Sequence, residues 1–232
     1  MTSANLDTPA TSLEAAGLRH ITCYLDFISP FAYLAFELLP EALRDVSYSV
    51  SYKPVLFAGM LKHYGQLGPA EIAPKRDWTY RQVLWLAHSR GIALQMPASH
   101  PFNPLLLLRL ALACSPEADA GSPNRFVCET IFHHVWRGGA DAVDARRFES
   151  LMRQLAPRRD IQGAEVKAQL KANTEEAIAA GVFGVPAFAG DDKLFWGLDA
   201  LPMLREHLQG GEWFEGPGWE GVKNVLTGVR RQ

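Results

Sequence analysis

The chain has 232 residues, 48% of them hydrophobic and 21% charged, an ordinary globular composition with enough length to bury a substantial core in one or two domains. A net charge of −2 points to neither nucleic acid nor an anionic membrane as a partner, and no apolar run is long enough to cross a bilayer. Three cysteines, Cys23, Cys114 and Cys128, form no close pair, and the polar N-terminus lacks a secretory pattern, so the expected compartment is a reducing cytoplasm.

Residues 1–17, rich in Ala, Thr and Ser, read as a loose tail. Arg19 to Leu25 alternates, with Ile21, Cys23 and Leu25 on one face, and reads as a strand. A helix follows, with Ser29 as its cap, Pro30 in its first position and an apolar stripe of Phe31, Leu34, Ala35 and Leu38. Val46 to Val55 reads as a second strand.

From about Phe57 to Arg159 the signals are helical, with helices predicted over Trp78 to Arg90, Pro104 to Cys114, Arg125 to Arg137 and Ala145 to Leu155. Glu165 to Ala180 is a further helix stopped by Gly181. Ala187 to Ala189 and Leu194 to Trp196 flank a Gly-Asp-Asp-Lys turn and read as a hairpin, followed by a closing helix over Asp199 to Leu208. Val222, Val225, Leu226 and Val229 keep a helical spacing near the C-terminus, read as a packing stripe. With the central helices set aside, strand, helix, strand, helix, strand, strand, helix is the order of the thioredoxin fold. The predicted division is 1–17 tail, 18–57 with 165–211 as a thioredoxin-like α/β domain, 58–164 as a large all-helical insertion and 212–232 as an extension.

Two stretches carry chemistry. A strand that runs into a capped helix aims free backbone N–H groups and the positive end of the helix dipole at one point, which stabilises an anion such as a thiolate. The Ser29 hydroxyl can add a hydrogen bond to that sulfur, and lowering a thiol pKa by about two units takes about 2.7 kcal/mol. The second stretch is Gly184-Val185-Pro186. A cis bond there would turn the Val185 backbone outward, free to pair with an extended peptide. Taken alone, each has a plainer reading: an ordinary Ser-Pro cap, and a strand-entry proline in trans.

Other patterns are set aside. Gly216 to Gly221 fits G-x-G-x-x-G with no β-α-β unit around it. His133 and His134, adjacent in a helix, point to different sides, and no Cys/His spacing suggests a metal. Lys75-Arg76-Asp77 reads first as a solvated face and second as the rim of a substrate entrance. Asn103 before Pro104 reads first as a helix cap and second as a substrate contact. Phe31 and Tyr33 read first as packing residues.

Together with Leu194-Phe195-Trp196-Gly197-Leu198-Asp199, the run Asp26-Phe27-Ile28-Ser29-Pro30-Phe31-Ala32-Tyr33 and the proline stretch resemble the DsbA-like branch of the thioredoxin superfamily. Within it they are similar to 2-hydroxychromene-2-carboxylate isomerases and kappa-class glutathione transferases. Lys53 to Leu56 with Leu61-Lys62, Lys75 to Ala87, Val135-Trp136 and Thr174 to Phe188 extend the likeness from about Ile21 to Pro217. The chain departs from the family pattern at Gln82, Leu198 and Ala200, where an acid, a polar residue and an arginine are frequent.

The resemblance implies glutathione as cofactor and a small aromatic molecule as substrate, in a homodimer. Ser29 would bind and activate the glutathione sulfur. Val185, beside a cis Pro186, would pair with its backbone, Leu198 and Asp199 would hold its γ-glutamyl end, and Lys62 would meet its glycyl carboxylate. Apart from the resemblance, Phe31, Tyr33, Lys75 and Asn103 are the candidate substrate-binding residues. The implied activity is glutathione-dependent cis–trans isomerisation, with conjugation of an electrophile as the alternative. A thiol–disulfide oxidoreductase is disfavoured, because Ser29-Pro30-Phe31-Ala32 stands where Cys-x-x-Cys would be needed. A non-catalytic binding module is the remaining alternative.

Overall fold

The computed structural model describes residues 17–226 and 228. Strand β1 (Arg19–Leu25) pairs in parallel with β2 (Tyr48–Pro54) and antiparallel with β3 (Ala187–Gly190), which forms a hairpin with β4 (Lys193–Trp196). The sheet order is β2-β1-β3-β4. Helix α1 (Pro30–Ala42) connects the two parallel strands, as a parallel pair requires.

Between β2 and β3 the chain builds α2 (Phe57–His63), α3 (Ala73–Ser89), α4 (Leu105–Ala113), α5 (Arg125–Trp136), α6 (Ala145–Leu155) and α7 (Ala164–Ala179). Helix α8 (Leu201–Leu208) closes the α/β unit against α1. This is the thioredoxin-like arrangement with a helical insertion expected from the sequence.

One aromatic core joins sheet and insertion. Phe27 meets Phe132 edge-on at 4.9 Å, and Phe36 packs on the same ring at 5.1 Å, which fixes α5 against α1 and the end of β1. Asn173, 1% exposed, donates from Nδ2 to the carbonyls of Pro54 (3.1 Å) and Gly121 (2.8 Å). Those two bonds tie α7 both to the end of β2 and to the insertion, and they satisfy an amide that could not be buried unpaired.

Three boundaries differ from the sequence reading. Helix α3 starts at Ala73, with Pro74 in its first turn, where proline's missing N–H costs nothing. The closing helix opens with a 3₁₀ turn, Leu198–Ala200, before Pro202 sets the start of α8. The expected C-terminal stripe does not form. Pro217–Glu220 and Gly221–Asn224 make only short turns, and Val222, Val225 and Leu226 are exposed at 68%, 78% and 91%. Val229, and residues 1–16 of the expected tail, lie outside the described residues. The extension is anchored instead by Phe214, which packs on Phe195 at 5.8 Å, and by Glu215, which accepts from the buried Lys193 Nζ at 3.0 Å.

Candidate active site

The site starts where β1 ends. Asp26 is fully buried, and its carboxylate accepts backbone N–H groups of Ile28 (Oδ1, 3.1 Å) and Phe57 (Oδ2, 3.0 Å). One side chain therefore joins the β1–α1 turn to the start of α2. Burial pushes its carboxyl up to about 7, against the pull of those N–H donors. The Ser29 N–H closes the turn on the Asp26 carbonyl at 3.0 Å.

Two further groups grip the same turn, and a third, Tyr80, holds one of them. Trp136 Nε1 donates to the Phe27 carbonyl at 3.0 Å, and His100 Nε2 lies 2.8 Å from the Ile28 carbonyl. A carbonyl only accepts, so Nε2 carries the proton. Burial holds the imidazole below the usual histidine range, which leaves neutral Nδ1 as the acceptor for the Tyr80 hydroxyl at 2.8 Å. The sequence reading missed His100 and Tyr80 as site residues, and Trp136 entered it only through family likeness. No local pattern marks these contacts, which span 72 residues from Ile28 and 109 from Phe27.

Ser29 then caps α1 as expected. Its backbone is extended (φ −89°, ψ 116°), and its Oγ accepts the Ala32 N–H at 3.2 Å. The same hydroxyl donates to the Val185 carbonyl at 3.4 Å, and the Val185–Pro186 bond is cis. The structure thus brings together the two stretches singled out in the sequence. The Pro186 carbonyl accepts the Gly197 N–H at 2.9 Å, which draws the start of α8 beside them.

A cleft of about 650 Å³ opens here, lined by Phe31, Val185, Pro186, Trp196, Leu198 and Asp199, and by Gln82 of α3 and Arg90 just beyond its end. Trp196 is half-exposed, packs on Phe183 in a tilted arrangement at 4.7 Å and lies over Gly184, where a Cβ would come within 2.6 Å of the indole Nε1. That close approach explains the glycine. The cleft is mostly apolar, with Gln82, Arg90 and Asp199 among its polar lining, and Ser29, only 8% exposed, does not line it directly but borders it through the Val185 carbonyl. Such a shape suits an amphiphilic ligand that brings an anion to the N-terminus of α1.

The other expected residues fall elsewhere. Tyr33 departs from its expected place at the substrate: it is fully buried, donates to the Ala93 carbonyl at 2.7 Å and accepts from Arg137 Nε at 2.9 Å. A large aromatic one turn into α1 faces the core. Lys62 lines a different groove, between α2, α4 and α7. Lys75 is exposed in the first turn of α3, and Asn103, also exposed, accepts the Leu105 N–H at 3.1 Å, so it caps α4.

No cysteine stands at this site. Cys23 and Cys128 are buried, burial pushes the Cys23 thiol up to about 12, and Cys114 lies at the end of α4. Fold and site together define a thioredoxin-fold protein with a serine where redox members carry cysteine. A family profile described as the DSBA-like thioredoxin domain matches residues 20–209, and the chain belongs to that family.

Among curated relatives, the chain is 27% identical to a 2-hydroxychromene-2-carboxylate isomerase of Sphingobium xenophagum, across 82% of this chain and 98% of that protein. It is 25% identical to glutathione S-transferase kappa 2 of Caenorhabditis elegans, across 87% and 96%. Among solved structures, a 2-hydroxychromene-2-carboxylate isomerase superposes with a TM-score of 0.70 at 23% identity, over 89% of this chain and all of that one.

Proposed function

We propose that the protein is a glutathione-dependent cis–trans isomerase of the 2-hydroxychromene-2-carboxylate type, acting on an aromatic carboxylate intermediate in a cytoplasmic homodimer. The observation that carries this reading is the Ser29 hydroxyl, set between the N-terminus of α1 and the Val185 carbonyl beside Pro186. A hydroxyl there cannot form a disulfide, but it can donate to a sulfur that arrives from solution. The relative named glutathione S-transferase kappa 2 supports the thiol as glutathione.

Glutathione lies along Val185 with its γ-glutamyl end toward Leu198 and Asp199, where the Asp199 carboxylate takes the ammonium group. Its thiolate is held by Ser29 and the helix terminus. The sulfur attacks the enone carbon of the open-chain substrate, and the π pair moves onto the conjugated carbonyl. The former double bond rotates, the pair returns, and thiolate leaves. Glutathione is regenerated, so the protein needs no redox partner.

A second reading, conjugation of an electrophile to glutathione, is favoured by the kappa-class relative and uses the same residues, with the thioether released as product. The deciding experiment follows the absorbance of 2-hydroxychromene-2-carboxylate with purified protein, with and without glutathione. Conversion to the trans open-chain product only when glutathione is present supports the isomerase. Glutathione binding without conversion moves the reading to the transferase.

A further inference from the structure

The groove that holds Lys62 shares no lining residue with the Ser29 cleft. It encloses about 680 Å³ where α2, α4 and α7 meet. Helical spacing builds it. Leu105 and Arg109 stand one turn apart on α4, and Lys167, Lys171 and Glu175 mark successive turns of α7. Gly59 and Lys62 do the same on α2.

The charge here is one-sided. Lys62, Arg109, Lys167 and Lys171 line the groove against Glu175 as the only acid, in a chain whose net charge is −2. Glu175 is 3.6 Å from Lys171, the neighbour one turn back on its own helix. Among the described residues no carboxylate pairs with Lys62, Arg109 or Lys167. Arg109 is committed at one end only: Nη1 donates to Gln162 at 3.3 Å, while its Nε is buried with no hydrogen-bond partner. The Nη end, bonded to Gln162 alone, is the part of the guanidinium that a carboxylate in the groove can reach.

The floor between these cations is apolar, formed by Leu56, Leu105, Leu170 and Ile178. Gly59 lines the same groove, and a Cβ there would meet only Thr174 and Leu56 at ordinary contact distances from 3.5 Å, so a larger side chain at this position can be placed in it. We propose that this groove is a second binding site, for a carboxylate carried on an apolar, ring-sized body, with Arg109, Lys167 and Lys171 holding the charge. An apolar floor selects such a ligand over a bare hydrated anion, and the cations reject its neutral analogue. The site is independent of the glutathione reading, because none of its lining residues touches that cleft.

The test is titration calorimetry of the full chain at low salt with phthalate, and with inorganic phosphate as the anion lacking an apolar body. Phthalate should bind, with and without saturating glutathione, and bind more weakly as salt rises. Lys167→Glu/Lys171→Glu, both exposed, should weaken phthalate roughly tenfold or more, the scale of lost charge-assisted contacts, and leave glutathione affinity unchanged. Gly59→Leu, filling the floor, should weaken it as well. No phthalate heat at millimolar ligand overturns the proposal. So does an affinity unchanged in the double variant, loss of phthalate binding when glutathione saturates, or phosphate binding as tightly as phthalate.

Discussion

Ser29 and Val185, 156 residues apart, meet through a single contact in which the serine hydroxyl donates to the valine carbonyl at 3.4 Å. That contact is long for an O–H···O bond, so it holds the hydroxyl loosely and leaves it able to turn toward a better acceptor. A thiolate at the N-terminus of α1 would be that acceptor.

Removing the hydroxyl separates its two roles. Ser29→Ala loses the cap on Ala32, which costs about 1 kcal/mol of stability. Under the proposed function it also loses the charge-assisted hydrogen bond to the thiolate, about 1.5–3 kcal/mol, hence a roughly ten- to hundredfold fall in glutathione-dependent turnover. Thermal unfolding and steady-state rates measured side by side check this. Unchanged turnover would rule out the assigned role.

Gly184 and Trp196 should behave as a pair. In Gly184→Ala the new Cβ would sit 2.6 Å from the indole, and a stiff ring must move. A destabilisation of about 1–3 kcal/mol is expected, with weaker glutathione binding because the neighbouring Val185 shifts. In the background of Trp196→Ala the same glycine substitution should cost little. A double-mutant cycle by chemical denaturation reads the coupling. Additive effects would mean that the indole does not constrain this backbone.

Asp26 makes stability depend on pH. Its carboxyl titrates near 7 in the folded protein against 3.8 for the free group. Between those values the unfolded chain binds fewer protons than the folded one, so stability falls as pH rises. The Asp26 contribution is complete below about pH 4 and lost as pH rises through about 7. Its slope approaches about 1.4 kcal/mol per pH unit. Asp26→Asn should flatten that segment of the urea-denaturation profile. An identical slope in the variant would assign the dependence to another group.

His100 is expected to act on the turn rather than on the chemistry. His100→Ala strips the donor from the Ile28 carbonyl and leaves Tyr80 with only the residue-100 carbonyl of its two acceptors, at about 1–3 kcal/mol. Amide exchange over residues 26–29 should speed up, and glutathione should bind more weakly. His100→Gln, which can still donate, should recover part of both. Exchange at wild-type rates in the alanine variant would remove His100 from the set of positioning residues.

What the sequence disclosed was local. The cap at Ser29, the span of α6 and the β3–β4 hairpin each depend on a few adjacent residues, and each lies where its pattern put it. The pairing of Ser29 with Val185 was legible only through family likeness. Local rules describe neither Trp136 reaching the Phe27 carbonyl nor His100 reaching Ile28, because the insertion decides which helix returns to the turn. Tyr33 misled for a related reason: it stands beside the reactive stretch in sequence, yet one turn of helix rotates it into the core. The C-terminal stripe failed because a helical spacing needs a partner to cover it.

With serine at the head of α1, Cys23 and Cys128 buried and Cys114 at the end of α4, none of the three cysteines lines this cleft. A disulfide enzyme is in one of two covalent states and must be reset after each turn. The proposed chemistry has no such resting form. Its competence is a matter of occupancy rather than of history: withdrawing the external thiol silences it, returning the thiol restores it at once, and an oxidant finds an alcohol where a disulfide enzyme would offer a thiol.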